Sequence, residues 1–228
     1  HANSHTMGMT EDEMRAVAEE AHNYGIKVFG HCRGTKSIRI ALELGYDSIE
    51  HGNFMDEESL ELLLKQDTPL VPTLYHCQMI AENGLEIGFA QKDVDGHKAH
   101  VDCGTEVAQK VLKGGGRVAT GGGDFGLAWN PHGGYAKEIS FYVKHAGFSP
   151  LDAIRGATKV GADLLPNEPD LGTLETGKLA DVLVVDGDVL SDITLLEDHT
   201  KFIAVMQGGF IKAGQMAESL SLKSDAID

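Results

Sequence analysis

Basic residues are scarce in this sequence of 228 residues. Only 19 Lys and Arg stand against 35 Asp and Glu, which gives a formal net charge of −16 at pH 7. Nucleic acids and anionic membrane surfaces attract clustered positive charge, so this balance argues against both as partners. No apolar run approaches the roughly 18 residues of a membrane-spanning helix, and no segment resembles a secretory signal.

Cysteine is also rare, with three residues at positions 32, 77 and 103 and no Cys-x-x-Cys spacing. An odd number of cysteines without paired spacing favours reduced thiols over a disulfide framework, so we expect a soluble, cytoplasmic protein. Hydrophobic residues make up 42% and charged residues 24%, which is ordinary for a globular protein. The length suffices for one large domain or two small ones.

Helical and strand-like patterns alternate four times along the first 165 residues. Several helices have a local start signal: Thr10 and Glu13 have capping-box spacing, Asp56 can cap, and Ser149 precedes a proline. Short apolar strands are predicted at 26–30, 47–50 and 117–120, with a strand-like run at 69–77 that Pro72 breaks, and helices at 10–21, 36–44 and 97–112. This alternation is typical of an α/β fold in which helices cover a parallel sheet.

Two stretches depart from the alternation. Residues 78–96 are less regular, and we predict a loop excursion there. After residue 166 the sequence changes to glycine-punctuated runs rich in Val, Ile and Phe, which favour antiparallel strands. We therefore expect two units, residues 1–166 and residues 167–228.

Three of the predicted strands end in a polar side chain, at His31, His51 and Asp124. Catalytic residues of parallel sheets and barrels gather at the carboxyl ends of the strands. Imidazole and carboxylate together suit a divalent metal such as zinc, and three protein ligands leave a position for water. A single histidine is more often structural, however, so spacing alone leaves a shared site and three unrelated residues equally open.

A family resemblance favours the shared site. The segments "GIKVFGHCRG", "GYDSIEHGNFMDEE", "LVPTL" and "GGRVATGGGDFG" resemble successive strand ends of the metal-dependent amidohydrolase superfamily, in the branch of imidazolonepropionase-like enzymes and Xaa-Pro dipeptidases. The tail "LGTLETGKLADVLVVDGD" resembles the β-segment that follows the barrel in that family. The resemblance implies a (β/α)8 TIM barrel with a small β-sandwich domain. It also implies hydrolysis of a C–N bond (amide, dipeptide, urea or carbamate) by metal-activated water.

The resemblance also implies roles for individual residues. His31, His51 and Asp124 match metal ligands for one or two divalent ions, most simply zinc, and Asp124 would also carry the proton. In a site with one ion, His51 would turn toward the substrate instead. His76, His132 and Tyr75 lie where contacts to a small-molecule substrate are expected. Arg33 could contact a substrate acid, but we favour an ion pair with a surface glutamate.

The departures from the family pattern concern its first half. The His-x-His pair of the first strand and the lysine of the fourth strand are absent, and the four countable strands match strands five to eight. We therefore expect that an N-terminal half, in the same or a separate chain, completes the barrel. Members of this branch commonly form homo-oligomers. Gly123 replaces the threonine that often precedes the aspartate.

Two other functions compete with the hydrolase. Gly121, Gly123 and Gly126 satisfy the G-x-G-x-x-G pattern, but the following "LAWNPHGG" is not helical as a dinucleotide-binding fingerprint requires. The second alternative is a metal-free barrel relative that acts as a scaffold or binding protein. The retained His31, His51 and Asp124 argue against it.

Overall fold

The computed structural model describes residues 6–121, 127, 130–166 and 170–217. Helices and short strands alternate through the first part of the chain, and an antiparallel sheet follows. The regular elements are α1 Glu11–Asn23, β1 Phe29–Cys32, α2 Thr35–Glu43, β2 Ser48–His51, α3 Glu57–Gln66, β3 Leu70–Val71, α4 Leu74–Asn83, α5 Gln91–Lys113, α6 Ala136–His145, α7 Pro150–Arg155 (continued by a π-turn, Gly156–Val160), α8 Gly161–Leu164, β4 Val182–Val185, β5 Phe202–Gln207 and β6 Phe210–Ala213.

The first sheet is parallel, as the alternation predicts. Its order is β1-β2-β3, with Cys32 opposite His51 and Ile49 opposite Leu70. The fourth predicted strand is reduced to one parallel bridge between Leu70 and Val118. Leu70 donates to the carbonyl of Arg117 (2.9 Å), and the amide of Ala119 donates to Leu70 (2.9 Å). Consecutive apolar runs therefore lie side by side, and the carboxyl ends of β1 and β2 meet at one edge.

The local start signals correctly predicted where α1, α3 and α7 begin. Thr10 Oγ1 accepts from the amide of Glu13 (3.3 Å), and the Glu13 carboxylate accepts from the Thr10 amide (2.7 Å), which completes the capping box. Asp56 accepts from the amide of Ser59 (2.8 Å) at the start of α3, and Ser149 accepts from the amide of Asp152 (3.1 Å). In each cap the donor and the acceptor are three residues apart, so the pattern can be recognised in the sequence.

Two predictions were wrong, and both concern the segment after β3. The strand-like run 69–77 ends at Val71, just before the expected break at Pro72, but residues 74–77 begin the helix α4 instead of continuing as a strand. Residues 78–96 are not a loop excursion, because α4 continues to Asn83 and α5 begins at Gln91. A tertiary contact stabilises the start of α4: the carboxylate of Glu138, on α6, accepts from the amides of Leu74 and Tyr75 (2.6 Å each).

The core lies between the parallel sheet and the helices. Ile38 and Leu42 on α2 are fully buried, as are Ile49 on β2, Leu63 on α3 and Leu70 on β3. Helix residues four apart share a face, so α2 presents both of its side chains to the sheet. β2 and β3 are buried between their neighbours, whereas β1 alternates exposed and buried residues, with Phe29 46% exposed.

The antiparallel strands predicted after residue 166 are confirmed. The sheet order is β4-β5-β6, with Leu183 opposite Val205 and Gln207 opposite Phe210. Gly208 and Gly209 form the β5–β6 turn with φ of 57° and 85°, which suits the left-handed conformation of a tight hairpin. No helix in the described ranges is both long enough and apolar enough to cross a membrane.

The Glu138 contact predicts a large effect of a small change. Glu138→Gln keeps the shape of the side chain but turns an amide NH2 toward one of two backbone donors, so a buried N–H loses its acceptor. We expect the free energy of unfolding to fall by about 2–3 kcal/mol, measured by urea denaturation of the full-length protein. Glu61→Gln, on the exposed face of α3, is the matched control, and an equal effect of both substitutions would contradict the assigned role.

Candidate metal centre and cavity

The two predicted histidine ligands meet at the carboxyl edge of the parallel sheet. His31 lies on β1 and His51 ends β2, the adjacent strand. His51 Nε2 lies 2.9 Å from His31 Nδ1, and the ring centroids are 4.2 Å apart in an edge-to-face arrangement. The pairing of β1 with β2 sets the distance between the two backbones, and the side chains bring the ring nitrogens into hydrogen-bond contact.

His51 adopts an unusual backbone conformation at this edge. Its φ is 70°, and Gly52 follows with φ 61°. The amide of Gly52 donates to the carbonyls of Cys32 and Glu50, both at 3.0 Å, which holds the turn against β1. A Cβ on Gly52 would lie 2.5 Å from Leu70 Cδ1, so any larger residue would have to adopt the left-handed conformation and also displace the Leu70 side chain. Strained left-handed residues of this kind cluster at functional sites.

Hydrogen bonding determines the tautomer of His51. The Thr73 hydroxyl has one proton and donates it to the carbonyl of Pro72 (2.8 Å). The same Oγ1 contacts His51 Nδ1, so it accepts from the Nδ1–H group. His51 Nε2 therefore carries the lone pair, which faces His31. A hydrogen bond to the second ring nitrogen is the usual way in which proteins orient a metal-binding histidine.

Burial keeps His51 neutral. The side chain is 4% exposed, and burial lowers its pKa to about 2, with smaller contributions from the Arg33 guanidinium and from His31. A metal ligand must be the neutral imidazole, so a metal at Nε2 would displace no proton from this ring near neutral pH.

His51 Nε2 and His31 Nδ1 are 2.9 Å apart, a hydrogen-bond distance at which the Nδ1–H group of His31 donates to the lone pair of His51 Nε2. Nitrogens bound to one tetrahedral zinc ion lie roughly 3.3 Å apart, so a widening of about 0.4 Å and loss of the His31 Nδ1 proton would let both nitrogens bind one ion. The third predicted ligand, Asp124, lies outside the described residues.

Arg33 lines the cavity, and the ion pair expected with a surface glutamate stays a prediction. Its Nη1 donates to Asn53 Oδ1 (3.0 Å) and approaches Cys77 Sγ (3.7 Å). Asn53 is fully buried, and its Nδ2 donates to the carbonyl of His100 on α5 (3.0 Å). The side-chain amide of Asn53 thus links Arg33, which follows β1, to His100 on α5.

A cavity of about 1160 Å³ opens at this edge of the sheet. Its wall combines apolar side chains such as Tyr46, Ile80 and Phe89 with a polar group of four histidines and an arginine: His31, Arg33, His76, His97 and His100. The volume slightly exceeds the roughly 300–1,000 Å³ that is usual for small-molecule sites, and a mostly apolar wall with a few polar groups is their usual composition.

The three predicted substrate contacts are placed differently. His76 lines the cavity. Tyr75 donates its backbone amide to Glu138, and its ring lies beneath Lys137 Nζ at 5.7 Å. His132 is exposed, with Nδ1 2.7 Å from Tyr135 Oη. Neither Tyr75 nor His132 lines the cavity that the described residues enclose.

Sequence reasoning missed the polar residues of α4 and α5. Cys77, His97 and His100 bring one ligand atom each to within 4.8 Å of the others. The signal was available in part, since His97 and His100 are three residues apart and so share a helix face. The grouping was overlooked because residues 69–77 were predicted as strand-like and 78–96 as a loop. The helix α4, which carries Cys77 and packs against α5, was therefore not expected.

The comparisons with known proteins identify the family of this chain. The sequence profile of the Amidohydrolase family matches residues 2–212. The chain belongs to the amidohydrolase family. One similar solved structure is Aspergillus niger ochratoxinase, with a TM-score of 0.81 and 28% sequence identity; the match covers 93% of this chain and 47% of that one. Another is an Xaa-Pro dipeptidase with bound methionine in the active site, with a TM-score of 0.77 and 32% identity; the match covers 90% of this chain and 49% of that one.

The same relative appears among curated sequences. Ochratoxinase of Aspergillus niger is 29% identical over 205 residues, which cover 89% of this chain and 41% of that protein. The chain therefore spans less than half the length of the ochratoxinase and the Xaa-Pro dipeptidase that it matches. The family resemblance to Xaa-Pro dipeptidases is confirmed, and these neighbours imply a TIM-barrel-type fold.

Thr73 provides a test of the histidine geometry. Thr73→Val keeps the branched shape but leaves the Nδ1–H of His51 without its acceptor, which costs about 1–3 kcal/mol of unfolding free energy. Thr73→Ser retains the hydroxyl and should recover most of the loss. Urea denaturation of both variants measures the difference. Equal destabilisation by both would show that the methyl group, rather than the hydrogen bond, matters.

The pKa of His51 predicts acid sensitivity in metal-free protein. Below its ordinary pKa of about 6.5, the unfolded chain binds a proton that the folded protein excludes until about pH 2. The free energy of unfolding should therefore fall on acidification through this window, by up to about 1.4 kcal/mol per pH unit from this one group. His51→Gln should remove that part of the slope. An unchanged slope in denaturation curves from pH 7 to 4 would contradict the assignment.

Proposed function

We propose that this chain is part of a metal-dependent hydrolase that cleaves a C–N bond of a small molecule with water. The substrate class is an amide, dipeptide, urea or carbamate. The observation that carries the proposal is the pair of nitrogens, His51 Nε2 and His31 Nδ1, 2.9 Å apart beside the cavity of an amidohydrolase-family chain. The names of its relatives, an ochratoxinase and an Xaa-Pro dipeptidase, agree with this class.

The donor set suggests how the chain would hold a divalent ion, most simply zinc. His31 and His51 would be ligands, and Asp124 would complete the set and move a proton between water and the leaving nitrogen. A bound divalent ion supplies Lewis acidity toward water and the scissile carbonyl. Thr73 positions His51, and the buried surroundings keep that ring neutral and ready to bind. One or two ions are compatible with these residues.

The cavity wall supplies features for substrate binding. The Arg33 guanidinium offers a cation to a carboxylate next to the scissile bond, while Phe89 and Ile80 offer an apolar surface. His76 lies on the same wall. We propose that His132 and Tyr75 contact the substrate in the completed protein. An N-acyl amino acid or a dipeptide combines the anionic group and the amide that this wall would recognise.

The rest of the protein enters the proposal through the free edge of the sheet. Among the described residues, β1 pairs with β2 alone, and Ile26 and Phe29 beside that edge are 57% and 46% exposed. Unpaired strand edges with apolar side chains favour association. We propose that this chain contributes strands five to eight of the barrel and that residues 167–228 contribute to a β-sandwich domain. An N-terminal half, in the same or a separate chain, would complete the barrel of a cytoplasmic homo-oligomer.

Asp124 and the metal provide the decisive test in the full-length protein. We expect hydrolysis of a panel of N-acyl amino acids and Xaa-Pro dipeptides that stops on chelation and returns with zinc. Asp124→Asn should lower kcat/KM by about 100-fold or more, whereas Asp12→Asn on the exposed face of α1 should leave it unchanged.

The measurement is the release of free amino acid, with metal content determined in parallel. Full activity of metal-free protein would refute metal dependence. Substantial activity of Asp124→Asn would refute the role of that carboxylate. If the protein contains much less than one metal ion per chain and hydrolyses none of these substrates, a scaffold relative would be favoured over an enzyme.

A further inference from the structure

We propose that Cys77, His97 and His100 form a second transition-metal site, separate from the His31–His51 pair. The three residues come from α4 and α5, which pack against each other beside the cavity. Cys77 is fully buried, and the two histidines are half-buried. The proposal does not rest on the hydrolase function, because none of its three ligands is among the residues assigned to the hydrolytic metal or to substrate binding.

Local geometry directs the three donors to one point. His97 and His100 are three residues apart on α5, so both rings project from one face. Their centroids are 5.6 Å apart and nearly perpendicular, at 89°. One ligand atom from each ring and Cys77 Sγ lie within 4.8 Å of one another. Tetrahedral zinc needs roughly 3.6 Å between sulfur and nitrogen ligands. Side-chain rotations that move the donor atoms by about 1 Å would therefore close the site.

The backbone around the site is held in place. Asn53 Nδ2 donates to the carbonyl of His100 (3.0 Å), which fixes that turn of α5. A Cβ on Gly104 would lie 2.7 Å from Asn53 Nδ2 and from Leu74 Cδ2, so the glycine permits the close approach of α5 to α4. The rings can therefore adjust while the helices that carry them keep their spacing.

The donor types select the ion. A thiolate and two imidazoles suit zinc, cobalt or cadmium, whereas magnesium and calcium prefer oxygen ligands. Arg33 Nη1 lies 3.7 Å from Cys77 Sγ, and its charge opposes a cation there. The site would therefore depend on the sulfur–metal and nitrogen–metal bonds, which disfavours hard cations further.

The fourth position would face the cavity, because His97 and His100 both line it. Water, a substrate group or His76, whose ring centroid is 6.0 Å from that of His97, could occupy it. An ion here would cross-link α4 to α5 and brace one wall of the cavity.

Cobalt substitution tests the site directly. Full-length protein stripped of metal is titrated with Co²⁺, and the near-ultraviolet sulfur-to-cobalt charge-transfer band is recorded. The His31–His51 site has no proposed sulfur ligand, so the band reports on the second site alone. We expect the band in the wild-type protein and in a His31→Asn/His51→Gln double variant. We expect its loss in Cys77→Ala and at least 10-fold weaker Co²⁺ binding in His97→Asn and His100→Asn.

Cys103→Ala, on the same helix α5, and Cys32→Ala, next to His31, are the matched controls and should retain the band. Unchanged metal content at the His31–His51 site in Cys77→Ala would show that this variant is folded. The proposal fails if wild-type protein shows no band or if the band persists in folded Cys77→Ala. Loss of the band in Cys32→Ala or Cys103→Ala, with Cys77 intact, would also overturn it.

Discussion

The buried carboxylate of Glu138 is the contact on which the site depends. It accepts two backbone N–H groups at the start of α4 and so begins a helix directly after a two-residue strand. The sharp change of direction places Thr73 in the left-handed region, with φ 51°. That conformation brings the Thr73 hydroxyl to His51 and determines which ring nitrogen carries the lone pair. One acceptor, supplied 64 residues away along the chain, thus determines the donor atom of a candidate ligand.

The features that could be predicted from the sequence are those encoded locally or by regular alternation. Caps at Thr10, Asp56 and Ser149 are formed by residues three positions apart, and all three are present. Short apolar strands separated by helices predicted a parallel sheet with its polar strand ends at one edge. That topology was sufficient to bring His31 and His51 together, whatever the details of the intervening helices.

The features that escaped prediction depend on contacts between distant segments. The "PTLYHC" stretch contains Thr73 and Tyr75, which favour strands, but the Glu138 carboxylate stabilises a helix there. Arg33 could not be assigned to the cavity because its partner Asn53 lies 20 residues away and is buried by α5. The pairing of Cys77 with His97 and His100 required knowledge of how α4 and α5 pack. In each case burial decided the outcome, and burial is a property of the whole fold.

The two candidate ligands, His31 and His51, occupy adjacent strands of one parallel sheet. Neighbouring strands are held about 4.8 Å apart by backbone hydrogen bonds, whatever side chains they carry. The separation of the ligands is thus inherited from the polypeptide itself, while the helices that shape the cavity are free to diverge. Substitutions on the cavity-facing sides of α4 and α5 would therefore reshape the cavity wall without moving the strands that carry the two histidines, provided that Glu138 still anchors the first turn of α4.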